Sequence, residues 1–230
     1  LEYLNLGSIN LRKEIHPEAF DNMTALRILR VTSYDRGITG SIPNLEDCFS
    51  LQNLTLDRNQ LSGQIQNFSQ NQQLRVINLR SNNFSSAFPS ITLPNLINLY
   101  IQNNNITSIG TLDCPNLRRL RAYFNNIESI PDFSNATRIF EILLYNCNIN
   151  KYTSGNFENI ISIRRLDLSN NNLNTGDIDS ILKDLYKNYE RNPRGNVTVN
   201  LIGNASPSST QEINAIISKL ASEGWNIGLS

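Results

Sequence analysis

The side chains that most often carry out chemistry are few and scattered in this sequence. The single histidine, His16, precedes Pro17 and has no nucleophile or carboxylate at a spacing that suggests a general base. The carboxylates form no pair at helical or cross-strand spacing, and the sequence contains neither a glycine-rich phosphate loop nor an Asp-rich calcium loop. We therefore interpret His16 as a surface or packing residue and expect a non-enzymatic protein that uses no cofactor.

The three cysteines, Cys48, Cys114 and Cys147, lack the spacing of a metal site. Cys48 and Cys114 occupy the same place in the second and fifth copies of the repeat described below. With neighbouring strands ~4.8 Å apart, these two residues lie about 14 Å from each other. A disulfide spans at most about 7 Å between Cα atoms. The sequence therefore predicts buried free thiols.

Charge and hydropathy exclude several classes of partner. The 20 basic and 20 acidic residues give a net charge of zero, which argues against a general nucleic-acid or anionic-membrane binder but leaves room for a local patch. No stretch approaches the roughly 18–20 apolar residues that span a bilayer, and no signal-like segment is seen. Because Leu1 lies inside a repeat, we expect a fragment with further domains or subunits beyond a missing N-terminus.

Asparagine is unusually abundant, at 36 of 230 residues, and this excess explains most of the Asn-x-Ser/Thr sequons. Asn53 is expected on a strand and Asn105 beside a row of buried asparagines, both awkward places for a glycan. We favour composition over glycosylation as their origin. The eight sequons are at Asn22, Asn53, Asn67, Asn83, Asn105, Asn135, Asn196 and Asn204.

The apolar residues that would position these side chains return every 21 to 25 residues in the frame Leu-x-x-Leu-x-Leu-x-x-Asn-x-Leu. Alternate residues of Leu-x-Leu point to opposite faces of a short strand, and the Asn amide can satisfy backbone groups where the chain leaves it. Stacked asparagines would form a ladder, in which Ile9, Tyr34 and Cys147 are substitutions. Copies begin at Leu1, Leu26, Leu51, Leu74, Leu96, Leu117, Ile139 and Ile163, and a degenerate ninth contains Val199, Leu201 and Asn204.

This frame resembles the leucine-rich-repeat family over nearly the whole chain. The resemblance implies an α/β fold: a solenoid in which a curved right-handed coil carries a parallel sheet on its concave side, here over residues 1–174. Residues 38–43 and 61–65 resemble the variant with a short second strand on the convex side, and residues 106–109 and 127–130 resemble the short bacterial type. The lengthening after Tyr34 suggests a local bulge.

Residues 175–230 change to helical spacing and are predicted to form a C-terminal cap of helix, strand and helix. Gly176 or Asp177 is expected to begin the first helix, a strand follows at 197–202, and Ser209 with Glu212 has the spacing of a capping box for the second helix. Trp225 is expected to fold back onto the core. This ending resembles the terminal segment of leucine-rich-repeat proteins from bacterial surfaces and bacteriophage tails.

The outward positions of the predicted strands form columns across the sheet, and Tyr and Arg concentrate in the fifth to seventh copies. These two residue types are enriched at binding hot spots, and stacked aromatic rings with Arg could equally hold a sugar. The alternative is that Arg119, Glu141 and Arg165 only neutralise one another across strands. The resulting candidate binding site, here called the Tyr/Arg patch, comprises Tyr100, Arg119, Arg121, Tyr123, Phe124, Glu141, Tyr145 and Arg165.

The resemblance and the Tyr/Arg patch together predict a non-enzymatic recognition module that binds a protein or glycan on its concave sheet. We expect it to be extracellular or displayed on a bacterial cell surface. The alternative is a structural or host-recognition component of a virion or appendage, such as a phage tail fibre. Neither nucleic acid nor membrane insertion is expected of this segment.

Overall fold

The structure is a computed structural model that describes residues 1–7, 13–33 and 37–230. The ladder substitutions Ile9 and Tyr34, and the bulge expected at Tyr34, lie outside these residues. In chain order the elements are β1 (Tyr3–Gly7), β2 (Ile28–Thr32), β3 (Thr39–Gly40), β4 (Asn53–Thr55), β5 (Gln60–Leu61), β6 (Val76–Asn78), β7 (Ile91–Thr92), β8 (Asn98–Tyr100), β9 (Leu112–Asp113), β10 (Arg119–Arg121), β11 (Glu141–Leu143), β12 (Arg165–Asp167), α1 (Thr175–Arg191), β13 (Val197–Asn200), α2 (Gln211–Ser222) and β14 (Trp225–Gly228).

One parallel ten-stranded sheet runs the length of the molecule in the order β1-β2-β4-β6-β8-β10-β11-β12-β13-β14. Its register follows the repeat: Leu120 pairs with Leu99 on one side and with Ile142 on the other. Arg119 pairs with Glu141, and Glu141 pairs in turn with Arg165, as the outward columns predict. The leucine-rich-repeat solenoid, with its parallel sheet, is therefore confirmed.

The inward side of each strand is buried against the next repeat. Leu56, Leu79, Ile101 and Leu144 occupy the same frame position in different coils and are fully buried. Replacing one such side chain by Ala typically costs about 2–5 kcal/mol. Because the buried residues form one continuous cluster along the coil, each repeat depends on its neighbours for stability.

The predicted asparagine ladder is present, and Asn104 shows its geometry. Its Nδ2 donates to the carbonyl oxygens of Ile101 and Leu79, both at 3.1 Å, and its Oδ1 accepts from the Phe84 amide at 3.2 Å. The side-chain amide of Asn104 thus hydrogen-bonds within its own turn and also to the preceding coil. The same arrangement recurs at Asn59, Asn82, Asn125, Asn171 and Asn204.

All three cysteines are free and buried, as predicted. Cys147 takes the ladder position in the seventh copy, and its thiol is 3.3 Å from the Ala122 carbonyl oxygen, to which it donates. A thiol there reproduces the donor half of the asparagine but lacks the strong acceptor that the amide oxygen supplies. Burial raises the pKa of Cys48 and of Cys114 to about 11 and that of Cys147 to about 12.

The convex side carries two short parallel strand pairs. Thr39 of β3 pairs with Gln60 of β5, which confirms the second strand expected from residues 38–43 and 61–65. A further pair, β7 with β9, joins Ile91 to Leu112 and was not predicted. No helix of the described residues is long and apolar enough to cross a bilayer.

Both cap helices form, but their N-terminal caps differ from those predicted. α1 is capped by Asn174, which forms a reciprocal capping box with Asp177. The capping box expected at Ser209 and Glu212 is wrong, because the N-cap of α2 is Thr210, whose side chain accepts from the amide of Ile213. The Glu212 carboxylate instead lies 2.8 Å from the Lys183 ammonium on α1.

The cap also contains one strand more than predicted. Trp225 is buried, as expected, but it begins β14, which pairs in parallel with β13 through Trp225 and Val197. The indole Nε1 donates to the carbonyl oxygen of Arg194 at 2.7 Å. The sheet therefore continues through the predicted capping segment.

Candidate functional site

The Tyr/Arg patch lies on the outward face of the main sheet and on the turns that follow its strands. β8, β10, β11 and β12 carry Tyr100, Arg119 with Arg121, Glu141 and Arg165, respectively. Period-two alternation puts these side chains on the face opposite the buried leucines. Tyr123, Phe124 and Tyr145 come directly after β10 and β11, at the carboxyl ends of the strands. The structure therefore places all eight residues on adjacent coils.

Three aromatic rings form the centre of the patch. The rings of Tyr123 and Tyr145 stack with their centroids 4.4 Å apart and an interplanar angle of 8°. Phe124 meets Tyr123 edge-on at 5.7 Å and Tyr145 at 5.5 Å. With half of its surface exposed, Phe124 presents a large apolar ring to solvent. Burial, followed by the neighbouring Tyr123, raises the pKa of Tyr145 to about 12.

Phe124 sits in an unusual backbone conformation, with φ at 53°. Positive φ is uncommon for bulky side chains and is most easily adopted by Gly, Asn and Asp. At the equivalent place in other repeats, positive φ is also found at Arg58, Ser81, Asn103, Asn146 and Asn170. The solenoid therefore requires this conformation, and the half-exposed phenyl ring occupies a site where asparagine is the easier residue.

An ion pair adjoins the aromatic rings. Nε of Arg121 donates to Oε1 of Glu141 at 2.7 Å, and the Glu141 side chain is largely buried. The same guanidinium lies 5.2 Å from the centroid of the Tyr100 ring. This hydrogen bond, which Arg121 donates to the Glu141 carboxylate, raises the pKa of Arg121. Arg121 is thus held from two sides in a fixed orientation.

The predicted neutralisation of Arg119, Glu141 and Arg165 takes a different form. Glu141 is paired with Arg119 on the neighbouring strand but hydrogen-bonds diagonally to Arg121. The guanidinium of Arg119 lies instead 4.6 Å from the centroid of the Phe140 ring. Neither Arg119 nor Arg165 forms an ion pair within the described part of the chain. The patch therefore contains two arginines, Arg119 and Arg165, without a carboxylate partner among the described residues.

The outward face extends beyond the patch to residues that the sequence did not single out. A cavity of about 320 Å³ beside Arg165 is lined by Thr198, Asn200, Ile202 and Asn226, among others. Thr198 and Asn200 follow from the degenerate ninth repeat, but Asn226 lies on β14, which has no repeat frame to reveal it. At the other end, Arg80 pairs with the buried Asp57, with Nη2 and Oδ2 3.0 Å apart.

The remaining candidates for chemistry lie apart from this face. His16 is exposed, and its Nδ1 accepts from the Glu18 amide at 3.3 Å. Within residues 1–7, 13–33 and 37–230, no group of three His, Cys, Asp or Glu residues is arranged to hold a metal ion.

Two sequon asparagines have structural roles. The Asn53 amide oxygen accepts from the Thr55 hydroxyl at 2.7 Å, and Asn204 belongs to the ladder. Asn105 lies next to the ladder residue Asn104, as expected, but it is exposed. A ladder asparagine such as Asn104 points inward, and the next residue points outward.

Comparison with known proteins agrees with this geometry. Family models for leucine-rich repeats match residues 94–135, as two copies, and residues 162–185. No curated protein sequence matches the chain.

Several solved structures share the fold. A leucine-rich-repeat protein of Leptospira interrogans is 21% identical, with a TM-score of 0.68, over 94% of this chain and 52% of that one. The ectodomain of the Arabidopsis thaliana receptor kinase GASSHO1/SCHENGEN3, solved with CASPARIAN STRIP INTEGRITY FACTOR 2, is 19% identical, with a TM-score of 0.70, over 99% and 29%. An internalin of Listeria monocytogenes is 19% identical, with a TM-score of 0.62, over 98% and 58%.

The chain thus spans between 29% and 58% of the length of these three structures. The matched repeats, the parallel sheet and the asparagine ladder agree with one another along the coil. The chain is a leucine-rich-repeat protein.

Proposed function

We propose that this chain is a non-enzymatic recognition module that binds a protein or glycan ligand through the Tyr/Arg patch. The observation that carries the proposal is the half-exposed Phe124 ring, held at positive φ against the stacked Tyr123 and Tyr145. Because the solenoid imposes the positive φ, it is the residue type that points to function: a bulky, half-exposed ring stands where asparagine would be the more stable choice. Rigid aromatic rings beside an oriented Arg121 offer contact area and directed hydrogen bonds at low entropic cost.

A protein or peptide ligand is favoured by the structural likenesses. Among the similar structures, the GASSHO1/SCHENGEN3 ectodomain is bound to CASPARIAN STRIP INTEGRITY FACTOR 2, and the Arabidopsis receptor kinase HAESA is in complex with the peptide hormone IDA. The sheet of our chain has the same parallel arrangement, and its uncompensated Arg119 and Arg165 would attract acidic groups of a ligand. Stacked tyrosines with neighbouring amides also suit a sugar ring, so a glycan remains within the proposal.

Exposure to the extracellular space, on a bacterial surface, is part of the proposal. The ectodomain and the internalin among the similar structures support a secreted or displayed protein. Burial of all three thiols would also protect them from oxidation in such a compartment.

The experiment is site-specific photo-crosslinking. A photoreactive amino acid replaces Phe124 in one variant and Arg80 in a matched control, which follows a strand of the same sheet two strands away. Each variant is exposed to arrays of extracellular proteins and glycans. We expect adducts from position 124 that disappear when Tyr145→Ala is added, while circular dichroism shows the fold intact. Adducts from position 80 alone, or adducts that survive Tyr145→Ala unchanged, would place the site elsewhere.

A further inference from the structure

A second surface lies where the chain turns from the convex side into strands β10 to β13. Four arginines from successive coils and from the α1–β13 connection line a cavity of about 560 Å³ there. Phe140 and Ser162 form part of its wall, and no acidic residue lines it. The arginines are Arg118, Arg138, Arg164 and Arg194.

The hydrogen bonds of these arginines go to neutral oxygens only. Nη1 of Arg138 donates to Oδ1 of Asn116 at 2.9 Å, and Nη1 of Arg164 donates to the Gly195 carbonyl at 2.7 Å. Arg118 is exposed, and none of the four forms an ion pair with a described residue. Although the net charge of the chain is zero, this cavity therefore contains four guanidinium groups without an acidic partner among the described residues.

The guanidinium of Arg194 is held in place although the positive charge of Arg164 repels it. Its guanidinium donates to the carbonyls of Ile163 and Asn192 and to the Asn188 amide oxygen, which fixes it in the wall. Burial and the charge of Arg164 lower the pKa of Arg194 to about 10. A bound anion would relieve this repulsion, because it supplies the counter-charge that the protein lacks.

We propose that this cavity binds an acidic glycan, through sulfate or carboxylate groups on the sugar. Guanidinium groups form bidentate, charge-assisted hydrogen bonds with such oxyanions. The rest of the wall suits a sugar ring with hydroxyl groups, because Ser162 and Asn192 can meet the hydroxyls and the apolar Phe140, Ile161 and Pro193 can pack against the faces of the ring. A nucleic acid would need a longer basic tract than a single cavity supplies. The cavity and the Tyr/Arg patch share no residue, although the Arg119 guanidinium of the patch lies against the Phe140 ring of the cavity wall.

The test measures binding of size-defined oligosaccharides by calorimetry with the whole chain. The probes are dextran sulfate and oligogalacturonate, with neutral dextran and oligoglutamate as comparisons. The variants Arg118→Glu and Arg138→Glu alter the two arginines that hold no backbone group. Arg75→Glu is the matched control, since Arg75 is exposed at the same frame position as Arg118 but lies outside the cavity.

We expect an acidic oligosaccharide to bind, more weakly as salt rises, and to lose roughly tenfold or more in affinity in Arg118→Glu and Arg138→Glu. Arg75→Glu should bind as the unaltered chain does. Preference for dextran sulfate or for oligogalacturonate identifies the anionic group. The proposal is overturned if neither acidic sugar binds, if Arg75→Glu loses as much as Arg118→Glu, or if oligoglutamate binds more tightly than both sugars.

Discussion

The ring of Tyr123 lies parallel to that of Tyr145 on the next coil, 4.4 Å from centroid to centroid. The two residues stand 22 positions apart in the sequence, one repeat length, so the coil stacks them directly. Such a pair contributes about 0.5–1.5 kcal/mol beyond its buried area. The stack also gives Phe124 a fixed wall to pack against, and the first prediction concerns that residue.

Phe124→Asn should be more stable than Phe124→Ala by about 1 kcal/mol, because asparagine tolerates positive φ better than alanine while neither retains the ring. Urea denaturation of the two variants gives this difference directly. The same two substitutions at the exposed Glu128, whose φ is not positive, serve as the control and should differ by less. Equal stability of the two Phe124 variants would remove the argument that strain is maintained there for binding.

The asparagine ladder yields two opposite predictions. Asn104→Ala leaves two buried carbonyls and one buried amide without their partner, and we expect a loss of about 3 kcal/mol in the free energy of unfolding.

Cys147→Asn should instead increase the free energy of unfolding by about 1 kcal/mol, since the new amide oxygen can accept from the Ile127 backbone N–H as the Asn125 oxygen does from that of Ile106. Urea midpoints at neutral pH measure both. A destabilised, expanded Cys147→Asn variant would show that the buried site has no room for an amide.

The buried thiols make stability depend on pH in the alkaline range. Their pKa values are raised from about 9 to between about 11 and 12, so the unfolded chain releases these protons first. Their contribution is complete below pH 9 and is lost as pH rises through 11, by about 2–3 kcal/mol per thiol. Urea midpoints between pH 8 and 11 should fall, and a variant with Cys48, Cys114 and Cys147 all changed to Ala should fall less steeply. Parallel curves for the two proteins would contradict the assignment.

The repeat in the sequence determines most of the fold. A side chain's place in the frame decides whether it points into the coil, and the period decides which residues neighbour it on adjacent strands. Hence the buried leucines, the ladder asparagines, the outward columns and the free state of Cys48 and Cys114 all followed from spacing alone.

Only the tertiary structure decided contacts that the period does not encode. Strand β14 has no repeat frame, and it joins the sheet because α2 returns the chain beside β13 and Trp225 becomes buried there. Glu141 bonds to Arg121 rather than to the directly paired Arg119, because a long side chain reaches diagonally. Arg194 follows α1 in the sequence, and only the path of the chain through this helix brings it beside the arginines of earlier coils. Spacing fixes backbone neighbours, whereas rotamers and the path of an irregular segment fix which charged groups meet.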